Sequence, residues 1–449
     1  MKKIIKRFQA VNNESGMALV VVLMVFVVIS IIGLSIMAMS MSNMKMSAGD
    51  RTSQSAYYIA ESGINARMSD ISPQLKAAYG PASDLTDFFS RIDTALQLGT
   101  VTEYNDFDSS FGGQPKASVK IEKLQNDSLV SYSKNYKITS TGTIQNRSRT
   151  VTKVVHITWK PKSKVTIPAS TAIFSKDNYT VKNYKINGSV GSNGTIILQG
   201  GQANISGSMN SNVGTNLNLP EFPTFDAPTG SSDFTSTSLT MDKDKAFNNF
   251  TVSPNGTVII KMGAYNRNLV INKLKLESNA KIYLDTTGGS GKLSIYVKSL
   301  SMSPGSIINP GGDFQNVFVF LDSGQGTVMS GLINGSIFAK NADIVIDPAG
   351  GKGVTGQVIT GGANVSILSN DVSASAPGKI IYAPLANVYL NASFKGSIVA
   401  RAITSQGNDD QLVFQYTQID YDNSPIYVDN GSGSSPVKDI ITSEPVREN

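Results

Sequence analysis

The sequence predicts an α+β region followed by an all-β region, and three patterns carry that prediction. An uncharged apolar run extends from Met17 to Met41, and alternating β-branched residues begin near Ser118. From residue 165 to about residue 430, short apolar runs recur between Gly and Asn turns. These patterns are typical of a long helix, an antiparallel meander and a parallel β-helix, in that order along the chain.

The apolar run is long enough to cross a membrane as one helix. At about 1.5 Å per residue, its roughly 25 residues span a hydrocarbon core of about 30 Å. A helix satisfies its own backbone hydrogen bonds there, and the polar side chains of the run are Ser30, Ser35 and Ser40 alone. The leader before the run is basic, which predicts a cytoplasmic N-terminus and extracellular C-terminal domains in a single-pass protein of the cytoplasmic membrane. Its cations are Lys2, Lys3, Lys6 and Arg7.

The junction between the leader and the apolar run carries a resemblance to a known family. A short cationic leader, Gly16 and an apolar helix that starts at Met17 resemble a type IV prepilin signal. The local sequence GMALVVVLMV looks closest to the PilX and GspK branch of minor pilins, and residues 56–64, AYYIAESGI, are similar to the A-x-x-A-E-x-G segment of PilX-type N-terminal regions.

This resemblance implies a processing site and a set of partners. In that family a membrane peptidase cuts after the Gly, and the new N-terminal residue is methylated. The resemblance therefore implies a leader over residues 1–16, cleavage between Gly16 and Met17, and a transmembrane helix over residues 17–41 that packs against other pilin subunits. Prepilin peptidase and the cytoplasmic membrane are further partners that it implies.

Val21 departs from the pattern of the major pilins. Most of them carry Glu as the fifth residue after the cut, and counting from Met17 this residue is Val21. In the family that Glu pairs with the N-terminal amine of a neighbouring subunit, and a lone carboxylate in lipid is costly unless it has such a purpose. GspK-like subunits also lack it and are thought to sit at the tip. Val21 therefore favours a minor, tip-like role in a pilus or pseudopilus.

Residues 42–160 are predicted to form a pilin-like α+β region. The helix should continue outward to about Ser69 and be ended by Pro73 and then Gly80-Pro81, and a second short helix is predicted across Asp84–Leu98. Strands separated by Asn and Gly turns then predict an antiparallel meander with one face in water. His156 lies in the last of these strands, and because the chain has no Cys and no second His, a surface position is the better interpretation. The predicted strands cover residues 118–122, 136–141 and 151–159.

Residues 165–430, after a linker at Pro161–Lys164, are predicted to form a parallel β-helix. Units such as those around Ile337 and Ile398 recur roughly every 20 residues, the size of one solenoid turn, and their Ile, Val, Leu and Ala side chains should point inward. Leu219–Ser238, with three prolines, should cross the surface as an extended excursion. We expect this region to fold independently as a rod, and a jelly roll or other β-sandwich is the alternative. Residues 431–449 are predicted to be disordered.

Composition limits the classes of function. The chain has 449 residues, enough for two or three domains, and the absence of Cys excludes disulfides and thiolate metal or redox sites. A formal net charge of +6 permits attraction to polyanions. No Lys/Arg tract interleaved with aromatic residues occurs, so no specific nucleic-acid partner is predicted.

Motifs that carry chemistry are scarce. No cofactor, metal or catalytic residue is predicted, and the acidic residues Asp409, Asp410, Asp420 and Asp422, which could bind Ca²⁺ through oxygen ligands, are more typical of solvated loops. The sequence therefore predicts a non-enzymatic, minor pilin-like subunit that presents an extracellular β-helix for adhesion or surface binding, with a surface glycan or polyanion as its ligand. The alternative is a membrane-anchored β-helix that binds glycans or cleaves polysaccharides and never polymerises.

Overall fold

The computed structural model consists of one long helix, a small antiparallel sheet and a larger, mostly-β region. The fold is thus α+β and then β, as the sequence predicts. The residues that the structure describes are 14–107, 114–124, 129–163, 170–199, 204–287, 289, 291–323, 328–369, 377–405, 412–419, 427–428 and 440–448.

Helix α1, Glu14–Tyr79, has two halves with different surroundings. The side chains of the first half are exposed, whereas those on one side of the second half are buried, beginning at Ala56. The predicted stop at Pro73 is wrong, because α1 passes through Pro73, whereas the end of α1 at Tyr79 agrees with the predicted stop at Gly80-Pro81. Ile71 and Leu75 on either side are fully buried, and we attribute the continuation to this burial, which offsets the hydrogen bond that Pro cannot donate.

Helix α2, Leu85–Leu96, lies where the sequence predicts a short helix. Its N-cap is Asp84, whose side chain accepts a hydrogen bond from the Asp87 backbone N–H at 2.9 Å. Its apolar side packs into the core that α2 shares with α1 and the antiparallel sheet. The buried side chains of α2 are Phe88, Phe89, Ile92 and Leu96.

The antiparallel sheet has the predicted meander order and two further contributors. It comprises β1 Val101–Tyr104, β2 Lys116–Lys123, β3 Ser133–Ile144 and β4 Arg147–Thr158, each paired with the next. The end of the chain then adds β31 Ile441–Ser443 and β32 Arg447–Glu448, both antiparallel to β4. The predicted disorder of the tail is therefore wrong for residues 440–448. Ile440 is buried there, and its apolar contacts and the β4 ladder hold this segment in place.

The mostly-β region consists of short strands that pair in parallel, with one antiparallel exception, β23 with β24, among the described strands. The strands are β5 Lys162–Ser163, β6 Thr171–Ser175, β7 Tyr179–Val181, β8 Lys185–Asn187, β9 Ser189–Ser192, β10 Ile196–Leu198, β11 Met209–Asn210, β12 Ser238–Thr240, β13 Lys245–Val252, β14 Thr257–Lys261, β15 Arg267–Leu276, β16 Lys281–Asp285, β17 Leu293–Met302, β18 Ile307–Ile308, β19 Val317–Leu321, β20 Val328–Met329, β21 Leu332–Ile333, β22 Ser336–Ala339, β23 Ile344–Asp347, β24 Lys352–Val354, β25 Val358–Thr360, β26 Asn364–Ile367, β27 Lys379–Leu390, β28 Phe394–Ser405, β29 Val413–Gln415 and β30 Tyr427–Val428.

The order of strands in the longest ladder differs from their order in the chain. The ladder runs β13-β15-β17-β19-β22-β25-β27-β28 and then joins β6, β9 and β11. The first strands of the region thus pair with one of its last, as Ile398 lies opposite Ile173. Ile337 and Ile398 are fully buried, as predicted, in a core that extends through the region.

Residues 217–227, which we call the strap, lie between the antiparallel sheet and the mostly-β region. The Tyr382 hydroxyl donates to the Asn218 carbonyl at 2.9 Å, and the Ser131 N–H donates to the Thr224 carbonyl at 2.9 Å. Phe225 is buried. The predicted surface excursion over Leu219–Ser238 is therefore wrong for the strap, because its apolar side chains are held between two parts of the fold. Residues 228–238 agree with the prediction, since most of them are exposed.

The strap rests on outward-facing aromatic residues of four ladder strands, which we call the aromatic column; Ile359 of β25 lies between the last two of them. Phe222 packs edge-on against Phe338 with ring centroids 5.0 Å apart, and Phe225 packs against Tyr296 at 5.3 Å. These residues belong to the same hydrophobic core as α1, α2 and the antiparallel sheet. The two regions thus share a core, which does not favour the predicted independent rod. The aromatic column is Tyr296, Phe320, Phe338 and Tyr382.

Candidate assembly surface

The first half of α1 is apolar and exposed around its whole circumference. From Leu19 to Met46, its large apolar side chains are between 46% and 72% exposed. The hydroxyls of Ser30 and Ser35 donate to the carbonyls of Phe26 and Ile31, each at 2.8 Å. The serines therefore direct their donors into the helix rather than outward. We call residues 18–46 of α1 the assembly surface.

The assembly surface is suited to a membrane by length and composition. Among the described residues, α1 is the one helix that is long and apolar enough to cross a membrane. Val21 is 55% exposed on this surface, and the first charged residue after it is Lys45. Gly16 and Met17 lie in the first turn of α1, and the basic part of the leader lies outside the described residues.

The second half of α1 crosses the antiparallel sheet at very short distance. Ala56 and Ala60 are fully buried. A Cβ placed on Gly142 of β3 would lie 2.2 Å from the Ala56 carbonyl oxygen, and one placed on Gly63 would lie 2.7 Å from the Ala117 Cβ. The AYYIAESGI segment that we compared with PilX-type sequences is thus where helix and sheet meet most closely.

The sequence reasoning did not single out Gly142, although a signal for it exists. The residue interrupts the β-branched pattern of Thr139-Ser140-Thr141-Gly142-Thr143, and a Gly inside a strand often marks a site where another backbone approaches closely.

Replacing Gly142 by Ala should lower the free energy of unfolding by about 1–3 kcal/mol, because the added methyl group meets backbone atoms that cannot move aside. Urea unfolding of the chain without residues 1–48, followed by circular dichroism, measures the change. Gly80→Ala is the matched control, since a Cβ there has its nearest neighbour at 3.9 Å. Equal stability of the two variants would contradict the close crossing.

Two polar contacts fix the rotation of α1 about its own axis. The buried Arg67 guanidinium donates to the Leu96 carbonyl at 3.1 Å, and the Tyr104 hydroxyl donates to Asp70 at 2.6 Å. Burial, followed by the hydrogen bond to Asp70, raises the pKa of Tyr104 to about 12. Both contacts lie on the docked half, so they determine which side of the assembly surface points away from the sheet.

His156 is partly buried where β4 meets the tail, and not on the open surface that the sequence favours. Its Nδ1 is 2.7 Å from the Asn135 Oδ1, and its Nε2 is 3.4 Å from the Glu444 carboxylate but forms no hydrogen bond. Glu444 also lies 3.7 Å from Arg267 of β15. Asp244 lies nearby, and its burial raises the pKa of that carboxyl. The tail thus connects β4 to the mostly-β region through Glu444.

Four acidic residues could bind Ca²⁺ through their oxygens, although their sequence is more typical of solvated loops. Asp409, Asp410, Asp420 and Asp422 lie outside the described residues. Within the described ranges, no group of three or more His, Cys, Asp and Glu side chains is arranged to hold a metal ion.

The assembly surface lies in a segment that matches the model of a known protein family. Residues 15–65 match the family model described as PilX N-terminal. The matched segment contains the assembly surface and also Ala56 and Ala60, the α1 residues that lie against Gly142. The N-terminal region of this chain is therefore similar to PilX-type N-terminal regions, and the length and apolar composition of its helix suit a membrane anchor.

A solved structure also aligns with the chain. It is the competence-associated pilin ComZ from Thermus thermophilus, at 11% sequence identity over 89% of this chain and 98% of that one, with a TM-score of 0.23. A TM-score this low establishes no shared fold. A search for curated relatives finds no match.

Proposed function

We propose that this chain is a minor subunit of a type IV pilus or pseudopilus, assembled through α1 and carrying the mostly-β region on the outside of the cell. The observation that supports this most is the contrast within one helix. Residues from Ala56 onward are docked on the chain's own sheet, whereas residues 18–46 are apolar and have no cover among the described residues. Lipid covers such a surface before assembly, and helices of neighbouring subunits cover it afterwards.

The energetics of assembly follow from this surface. Exposed apolar side chains outside a membrane cost about 25 cal/mol per Å² of accessible area. A subunit therefore leaves the bilayer only into an equally apolar environment, such as a bundle of like helices. Within such a bundle the driving force is close packing, because lipid tails are as apolar as the neighbouring helices.

The leader and Val21 complete the proposal. Prepilin peptidase removes residues 1–16 from the cytoplasmic side, between Gly16 and Met17, and the globular domains lie outside the membrane. With Val21 at the fifth mature position, the subunit offers no carboxylate to the N-terminal amine of a neighbour. A position at the tip, with no subunit beyond it, requires no such pairing.

In this proposal the mostly-β region is a parallel β-helix that serves for display. Its support is the parallel register of the long ladder, in which partners such as Ile337 and Val358 are about 20 residues apart. The strap and Glu444 hold this body against the pilin-like sheet. An outer face of the β-helix would then bind a surface glycan or polyanion.

Labelling of surface filaments tests the proposal directly. Gold-conjugated antibody against residues 165–430 should mark filament ends in electron micrographs, and the protein recovered from those filaments should begin at Met17. Val28→Asp should abolish the label, because a charge at the middle of the assembly surface costs about 2.5–3.5 kcal/mol in lipid. Val258→Ile, a conservative change in the β core, is the control and should leave the label in place.

Three outcomes would contradict parts of the proposal. Label along the whole shaft would show a major subunit and overturn the tip position. Label over the cell surface without filaments would favour an anchored β protein that never polymerises. A mature chain that still begins at Met1 would overturn the processing step.

A further inference from the structure

Charged side chains surround α1 just beyond the apolar run. After Met41 the chain continues through Ser42, Asn43 and Met44 to Lys45, about 6 Å further along the helix axis. Arg51 follows less than two turns later. Both are exposed on α1. In a membrane-anchored subunit, this level of the helix corresponds to the lipid headgroups on the outer side.

The β3–β4 hairpin brings a third cation to the same level. Gln145, with φ of 52°, turns the chain between Ile144 and Arg147. A Cβ placed on Gly49 would lie 3.7 Å from the Arg147 guanidinium. Because Lys45 precedes Gly49 by four residues, Lys45 lies on the same side of α1, one turn closer to the apolar run.

These cations are not neutralised by the chain itself. Among the described residues, Lys45, Arg51 and Arg147 form no ion pair within 4.0 Å, and we call these three residues the basic collar. The neighbouring Arg149, by contrast, lies 3.1 Å from Glu448, and Lys116 lies 2.5 Å from Glu103. Among the described residues near this end of the domain, the acids without an ion pair are Asp50 and Asp106, two against the three cations of the collar.

We propose that the basic collar binds the phosphate groups of anionic phospholipids in the outer leaflet while the subunit is anchored in the membrane. This inference rests on the membrane anchorage in the proposed function, but not on polymerisation. Each Lys or Arg near an anionic surface adds to the electrostatic attraction, and long cationic side chains reach the headgroups readily. Contacts from both the helix and the hairpin hold the pilin-like sheet down on the membrane.

The collar also defines the height and tilt of the anchored subunit relative to the membrane surface. A helix alone leaves its globular domain free to swing about the point where it leaves the lipid. A second contact through Arg147, on a different element from Lys45, restricts that swing. Extraction of the subunit from the membrane must then break these phosphate contacts.

A probe on the hairpin tests the contact in the full-length chain. Because the native chain has no Cys, Ser148→Cys accepts a single fluorophore between Arg147 and Arg149. The protein is reconstituted in vesicles of phosphatidylcholine, alone or mixed with phosphatidylglycerol, that contain a headgroup-linked quencher. We expect quenching to be several-fold stronger in the anionic vesicles and to weaken as salt is added.

Variants distinguish lipid binding by the collar from a general attraction between the positively charged protein and the membrane. The double change Lys45→Gln and Arg147→Gln should remove most of the difference between the two kinds of vesicle. Lys76→Gln, an exposed cation about 46 Å further along α1, should leave the difference unchanged. Circular dichroism of each variant in detergent checks that the fold is intact.

The outcomes distinguish this inference from the proposed function. Equal quenching in neutral and anionic vesicles overturns the collar. Quenching that depends on the number of subunits per vesicle, and not on lipid charge, also overturns it and assigns the cations to an acidic surface of another subunit. A fluorophore at Ser30→Cys that is not quenched by acyl-chain-labelled lipid shows instead that the membrane anchorage itself is wrong.

Discussion

Replacing Ile337 by Asp is expected to unfold the mostly-β region. Ile337 is fully buried and lies in the ladder between Val319 and Val358. The described apolar neighbours offer no partner to a carboxylate, so the substitution introduces an unpaired charge in place of core packing. We expect a loss of at least about 4 kcal/mol in the free energy of unfolding, which is a large fraction of the total stability of a typical domain.

Urea unfolding of the chain without residues 1–48 measures this loss. The matched control is Leu385→Asp, in a strand of the same region, because Leu385 is 47% exposed and the new charge remains hydrated. This control should shift the free energy of unfolding by about 0.5 kcal/mol at most. Two variants of equal stability would show that Ile337 does not face a closed core.

The sequence predicted the structure best in segments where apolar residues follow one clear periodicity, either helical or strand-like. The apolar run before Met41 has no competing interpretation at its length, and the alternation of β3 and β4 marks one buried and one wet face. The short helix over Leu85–Leu96 has a capping Asp and apolar residues at helical spacing. In these segments local pattern and tertiary environment favour the same structure.

The joint between the two regions was not predicted, because it depends on contacts between distant parts of the chain. A signal for it nevertheless exists in β19, Val317–Leu321, whose five side chains are all buried. A strand that is apolar on both faces needs cover on both faces. As turns of an isolated rod, such strands would have no cover on their outer side, and in this chain the strap and the antiparallel sheet provide it.

The Pro residues of the strap predict exposure and the Gly residues of the tail predict disorder, and the structure differs from both predictions. Pro220 and Pro223 are typical of exposed extended segments, yet both are buried beside the aromatic column. The tail after residue 430 is rich in Gly and Ser, and that average composition concealed Ile440 and Ile441, which contact the sheet. In both segments, a few apolar residues outweigh the tendency of the surrounding sequence.

The shared core leads to the second large expected effect, which concerns residues 165–430 expressed alone. Without the antiparallel sheet, the strap loses its partners on one side. These are the Tyr132 hydroxyl, which donates to the Glu221 carbonyl, and the backbone of Ser131, which donates to the Thr224 carbonyl. Phe320 loses the edge contact of Tyr132 as well.

We therefore expect the fragment to be much less stable than the same residues within the chain. Each apolar side chain that returns from full burial to water costs roughly 1.5–3 kcal/mol, and several members of the shared core do so. Urea unfolding should begin at clearly lower concentration, and a dye that binds exposed apolar surface should fluoresce with the fragment but not with residues 49–449.

Proteolysis shows which part of the fragment loses stability. A protease that cleaves after glutamate should cut at Glu221 quickly in the fragment and slowly in residues 49–449, where the strap is held between Tyr132 and Phe338. Glu277 provides an internal control, because it lies at the end of β15 and its neighbouring backbone contacts are within the mostly-β region itself. Equal unfolding midpoints, together with equal cleavage rates at Glu221, would show that the mostly-β region is an independent rod and that the strap adheres to it without the sheet.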